Sequence, residues 1–143
     1  MNPTLQMGDY IIVDKNYYET HNFQRGDIVA FVAPKNGETT IWLQRVIGLE
    51  EETLEIRQNQ VVINGQPLQE PWSLYLGEAH LDQYQADFGP VKIPSGSVFL
   101  LGDNRPESND SRSFGSLDED KITGKVLYIY WSKDRKRIGM EIK

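Results

Sequence analysis

Short apolar runs with a dominant period of two recur along this chain, most of them bounded by Gly, Pro or Asn, and that pattern restricts it to a fold built from strands. Tyr10–Val13 follows Gly8-Asp9, and Asp27–Val32 opens after Arg25-Gly26 and closes at Pro34. Thr40–Gly48 is longer and ends on Gly. Leu54–Arg57 and Gln60–Ile63 flank Gln58-Asn59 as the arms of a hairpin would, and Asn64-Gly65 is a second turn signal. Val98–Leu101 and Val126–Trp131 complete the set. Helical periodicity is weak; the spacing predicts one helical turn over Leu117–Lys121, with Ser116 as its N-cap. Residues 71–89 lack alternation and read as an inserted excursion. The expectation is an all-β chain of coiled antiparallel sheets, one unit over residues 1–143, with a smaller hairpin lobe inserted at about 50–92.

Charge and residue usage narrow the chemistry. A net charge of −6 argues against a nucleic-acid surface, which is usually basic. The local basic cluster Lys133–Arg137 reads as a solvated turn. With no cysteine there is neither disulfide nor thiolate chemistry. Two histidines, His21 and His80, stand far apart in unrelated contexts, so a His-based triad and a His-rich metal site are both improbable. The acidic runs Glu50-Glu51-Glu52 and Asp118-Glu119-Asp120 lack EF-hand spacing and read as solvated faces. No metal and no cofactor is expected. No apolar run approaches the ~20 residues that a membrane-spanning helix needs.

The densest chemistry lies at residues 102–115, Gly-Asp-Asn-Arg-Pro-Glu-Ser-Asn-Asp-Ser-Arg-Ser-Phe-Gly, delivered directly by the apolar run Val98–Leu101. The order Gly-Asp-Asn-Arg-x-x-Ser-x-Asp-Ser-Arg-x-Phe-Gly resembles the type I signal peptidases (S26), membrane-anchored serine endopeptidases that use a Ser/Lys dyad. Other blocks follow in that family's order: Met1-Asn2-Pro3-Thr4-Leu5 with Gly8-Asp9, Arg25–Phe31 with Pro34, Gln44–Leu49, Val62–Gly65 through Glu70, Ile93-Pro94, and Ile122–Val126. The resemblance implies removal of signal peptides from exported proteins at the extracytoplasmic face of the plasma membrane. It implies an anchor upstream of Met1 and an extended peptide as partner.

The departures from the family pattern are as informative as the matches. The nucleophilic Ser of the family lies one residue before the Met that aligns with Met1. The general-base Lys aligns with Gln44, and the family's Leu-Pro-Gly-Asp turn is Leu49-Glu50-Glu51-Glu52 here. A Ser hydroxyl attacking an amide must hand its proton to a base within hydrogen-bond reach. Lysine serves when burial lowers its pKa, whereas a Gln amide has no protonation equilibrium near neutral pH. Loss of that base predicts a fall in peptidase activity of roughly 10³-fold or more.

By the resemblance, Ser108 would orient residue 44, here by bonding the Gln44 side chain. Asp110 and Arg112 would form an ion pair bracing the loop, and Asp103, Asn104 and Arg105 would act as turn and bracing residues. Substrate would lie as an added strand between Met1-Asn2-Pro3 and the edge Ile41-Trp42-Leu43. Trp42 also fits the plainer description of a half-buried strand aromatic. Pro94-Ser95-Gly96-Ser97 looks like a nucleophile box, but its position before the Val98 strand makes it a turn. Two function classes follow: a signal peptidase domain inactive in this chain, or a non-catalytic descendant binding exported polypeptides as a scaffold or assembly factor. A self-cleaving repressor domain sharing the Ser/Lys sheet is disfavoured by the 102–115 match.

Overall fold

The structure is a computed structural model, and it describes residues 1–35, 38–73 and 87–142. Ten strands are present in it: β1 (Tyr10–Asp14), β2 (Ile28–Lys35), β3 (Glu38–Gly48), β4 (Thr53–Arg57), β5 (Gln60–Ile63), β6 (Gln66–Pro67), β7 (Phe88–Lys92), β8 (Ser97–Leu101), β9 (Leu117–Asp118) and β10 (Ile122–Trp131). Every pairing between them is antiparallel. Six form a sheet in the order β1-β10-β2-β3-β8-β9, and four form a second in the order β6-β5-β4-β7. The chain is therefore all-β.

Side-chain alternation explains the layering. In β2, Val29, Phe31 and Ala33 enter one apolar cluster with Val46, Val98 and Leu100, while Ile28 enters another with Leu5, Val126, Ile129 and Ile142. A strand covered on both faces reads as a continuous apolar run, which is what Ile28–Phe31 shows; Val32, the next residue, is exposed. The smaller sheet closes over the larger through Ile47, Leu54, Ile56, Val61, Ile63, Ile93, Phe99 and Leu101. Gln58-Asn59 makes the β4–β5 hairpin with both residues at positive φ (48° and 63°), the geometry of a tight twisted turn.

Several local expectations are corrected. Leu117–Lys121 is not a helix: Leu117 pairs with Val98 as β9, and a 3₁₀ turn, Glu119–Lys121, follows with Asp118 rather than Ser116 before it. Burial of Leu117 against the Phe31–Val98 cluster outweighs the local capping signal. Two one-turn helices, α1 (Tyr17–Thr20) and α2 (Ser111–Phe114), have no counterpart in the periodicity. The glutamate run is not merely solvated. Glu52 takes a two-pronged contact from Arg25 (2.9 and 2.6 Å), and Glu50 accepts from the Gly96 amide at 2.8 Å. In the basic cluster, Arg137 is anchored to Asp9 at 2.6 Å. His21 is exposed and stacks on Tyr17 at 4.3 Å, whereas His80 lies outside the described residues.

Candidate functional site

The site forms where β3 and β8 run side by side. Arg45 is in register with Leu101, so the residue before Arg45 faces the start of the 102–115 loop. That residue is Gln44, only 7% exposed. Its Nε2 donates to the Asn109 carbonyl at 3.0 Å and, at a longer 3.4 Å, to Ser108 Oγ. The Asn109 oxygen can only accept, which fixes the orientation of the Gln44 amide. Its Oε1 is buried with no hydrogen-bond partner among the described residues. Gly102 forms the wall behind this contact: a Cβ there would stand 2.2 Å from Ser108 Oγ and 3.0 Å from Gln44 Oε1. Only glycine lets the loop backbone pass so close.

The loop is braced from within. Asp110 is fully buried and caps α2 by accepting from the Arg112 amide, and it also accepts from the Gly102 amide at 3.2 Å. Arg112 grips both Asp110 oxygens at 2.8 Å and donates to the Arg105 carbonyl at 2.7 Å. Ser111 Oγ accepts from the Leu100 amide, tying α2 to β8. Arg105 donates to the Gly102 carbonyl at 3.1 Å and forks onto Glu70, with Nη1 to Oε2 at 3.1 Å. Asn104 reaches Glu107 at 3.0 Å. Such two-pronged guanidinium–carboxylate contacts fix orientation as well as distance.

Arg45 turns to the opposite face and fastens the N-terminal segment. Its guanidinium, fully enclosed, forks onto Asp103 at 2.9 and 2.8 Å, donates to the Gly26 carbonyl, and sits 4.7 Å from the centre of the Trp72 ring. Thr4 donates its hydroxyl to Asp103 and accepts from Arg45 at 3.2 Å. Arg137 bonds the Thr4 carbonyl at 2.8 Å and the Asp9 carboxylate, and this guanidinium holds the Asp9 pKa down at about 2. Residues 1–9 thus lie against the site.

Of the residues singled out from sequence, Gln44, Ser108, Asp103, Arg105, Asp110 and Arg112 meet in this one network. Met1 and Leu43 pack on the same apolar cluster, Asn2 and Pro3 are exposed beside them, and Ile41 is exposed at the sheet margin. Trp42 points the other way, toward Phe31 and Phe114. Sequence reasoning missed Thr4, Arg45, Glu70, Gly102 and Asn109. Arg45 carried a signal, being a charge inside an otherwise apolar strand; Thr4 and Glu70 lie in blocks that match the family's order, but nothing local assigned either a partner. The turn expected over Pro94–Ser97 is confined to Ser95-Gly96: Ser97 opens β8, buried and paired with Asp118, with its hydroxyl on the Asp118 carboxylate at 3.3 Å. Among the described residues, no group of three or more His, Asp or Glu is placed to hold a metal, and no helix is long and apolar enough to cross a membrane.

Comparison with known proteins bears on this arrangement. Residues 1–131 match the family described as "Signal peptidase, peptidase S26". Signal peptidase IB of Staphylococcus aureus is 34% identical over 142 residues, covering 92% of this chain and 73% of that protein. A probable signal peptidase I-1 of Synechocystis is 36% identical over 141 residues, covering 94% of this chain and 68% of that protein. The crystal structure of a signal peptidase I from Enterococcus faecalis superposes with a TM-score of 0.58 at 35% identity, covering 73% of this chain and 97% of that one.

Proposed function

The chain belongs to the signal peptidase S26 family, and from that premise we propose that it holds an extended segment of an exported polypeptide in its cleft without cutting it. One observation carries the reading. The position of the family's base is filled by an amide, 7% exposed and clamped between Ser108 and the Asn109 carbonyl. An amide can position a hydroxyl or a peptide group. It cannot accept the proton of an attacking hydroxyl and pass it to a leaving amine.

In this reading Ser108 orients residue 44, while Asp103, Arg105, Asp110 and Arg112 keep the loop rigid. The peptide runs between Met1-Asn2-Pro3 and Ile41–Leu43. Residues 50–92 are a lobe inserted in a single unit, with Glu70 reaching from it to Arg105. The site faces the extracytoplasmic side of a membrane. The side follows from the family alone; support for a position at a membrane surface comes from the exposed aromatic cluster Tyr10, Tyr130 and Trp131, followed in the chain by Lys133, Arg135 and Lys136, because aromatic rings and cations together suit a headgroup region.

The test is a titration of a fluorescent peptide spanning a secretory cleavage junction, followed by mass analysis of the recovered peptide. Saturable binding with intact peptide is expected. Failure to bind, or recovery of two fragments, defeats the proposal.

A further inference from the structure

Beside Gln44, on the same face of β3, the structure leaves a cavity of about 670 Å³ lined by Phe31, Trp42, Asn109, Phe114, Leu117 and Lys121, among others. Its volume falls within the ~300–1,000 Å³ usual for ligand pockets. Three rings form its wall: Trp42 lies 6.2 Å from Phe31 and 6.4 Å from Phe114, and Phe31 lies 6.1 Å from Phe114. Phe114, at the mouth, is 40% exposed. Lys121 is already engaged by Asp118 at 2.6 Å, which leaves the lining apolar with neutral polar groups at its rim. This chemistry suits an uncharged apolar group rather than an anion.

The neighbouring backbone says what carries that group. β3 pairs with β2 along its length but with β8 only from Arg45 onward. Among the described residues, then, 39–43 present a second edge with no strand beside it. An unpaired edge is a template for another strand. Side chains of an added strand alternate between faces, so every second one would be directed to the Trp42–Gln44 face, where the cavity lies. The cavity adjoins the Gln44 site at Asn109, which lines it and whose carbonyl holds the Gln44 amide.

We propose that this cavity takes one bulky apolar side chain, aromatic or branched aliphatic, of the peptide laid along β3, and so sets which exported segments the protein retains. The inference rests on the peptide-holding reading and adds a selectivity to it. Its neighbours in the peptide fall on the opposite face, over Leu43 and Met1, and are not read by the aromatic wall.

The experiment moves a single Phe stepwise through an alanine-based extended peptide and measures binding by fluorescence anisotropy. One position should bind about 10- to 100-fold more tightly with Phe than with Ala, the gain from enclosing one large apolar side chain. Trp42→Ala should erase that preference. Because Trp42 is half-buried, Ser113→Trp, at an exposed position on the cavity rim, provides a second variant that should fill the space and erase the preference with the fold intact by circular dichroism. Equal binding at every Phe position overturns this inference while leaving the peptide-holding reading in place. No binding of any peptide overturns both. Concentration-dependent self-association that Phe114→Ser abolishes would show that a second copy of the chain fills the cavity, and would likewise overturn it.

Discussion

Replacing Gln44 with lysine supplies the base that the resemblance implies for this position, in a slot whose environment can be evaluated. Gln44 is 7% exposed, and both partners of its amide nitrogen are neutral oxygens, Ser108 Oγ and the Asn109 carbonyl. Lysine Nζ extends one bond further than Gln Nε2, toward the same oxygens, and the guanidinium of the next residue, Arg45, is fully enclosed nearby. An ammonium there loses its water without gaining a carboxylate. Burial of this degree lowers a lysine pKa by about 3 units from its unfolded value near 10.4, and each unit corresponds to about 1.4 kcal/mol. The sign follows from linkage. The unfolded chain binds the proton more tightly, so Gln44→Lys carries a penalty of about 4 kcal/mol below pH ~7. That penalty fades as pH rises toward 10 and the unfolded chain also releases its proton. Urea denaturation of both proteins at pH 6.5 and pH 10 measures it, since all other titrating groups cancel in the difference. A stability gap that stays constant with pH would refute the reasoning, by showing that the slot hydrates a cation as readily as water does.

Further outcomes follow from the same network. Asp103→Asn leaves the enclosed Arg45 guanidinium without its carboxylate and should cost about 3–5 kcal/mol in urea denaturation, releasing Thr4 as well. Gly102→Ala forces Ser108 Oγ away from a Cβ 2.2 Å distant and should destabilise by about 1–3 kcal/mol, while lowering affinity for an extended peptide in the same titration. The Asp9 carboxyl, held at about 2 by Arg137, contributes stability that is present above the unfolded value near 4 and lost as pH falls toward 2. After discounting for solvent screening, that contribution is about 1 kcal/mol, and Asp9→Asn should flatten the acid limb of the stability profile by this amount.

How much of this was legible in the residues depends on the range of the interaction. Short apolar runs closed by turn residues located β1, β2, β3, β4, β5, β8 and β10, alternating in β4 and unbroken in β2 and β8, because both patterns are set by neighbours in the chain. The turn chemistry of Gln58-Asn59 was equally local. The family resemblance of the 102–115 loop implied that Asp110 and Arg112 are partners, and the two lie only two residues apart in the chain. The pairs Arg105–Glu70 and Thr4–Asp103 span 35 and 99 residues, and nothing in the local pattern encodes them. Leu117–Lys121 misled because its capping signal is local whereas its pairing with Ser97-Val98 is not. The aromatic cavity was half legible: Trp42 was marked as a cleft residue, but its facing of Phe31 and Phe114 required the fold.

The account stands or falls on whether residue 44 decides the chemistry of an otherwise intact cleft. Two chains bearing a serine directly before Met1, one retaining Gln44 and one with Gln44→Lys, should be incubated with a secretory precursor at pH 8 and the products quantified by mass spectrometry. Cleavage is expected only with Gln44→Lys, at a rate exceeding that of the Gln44 chain by about 10³-fold or more. Comparable cleavage by the chain retaining Gln44 would contradict it.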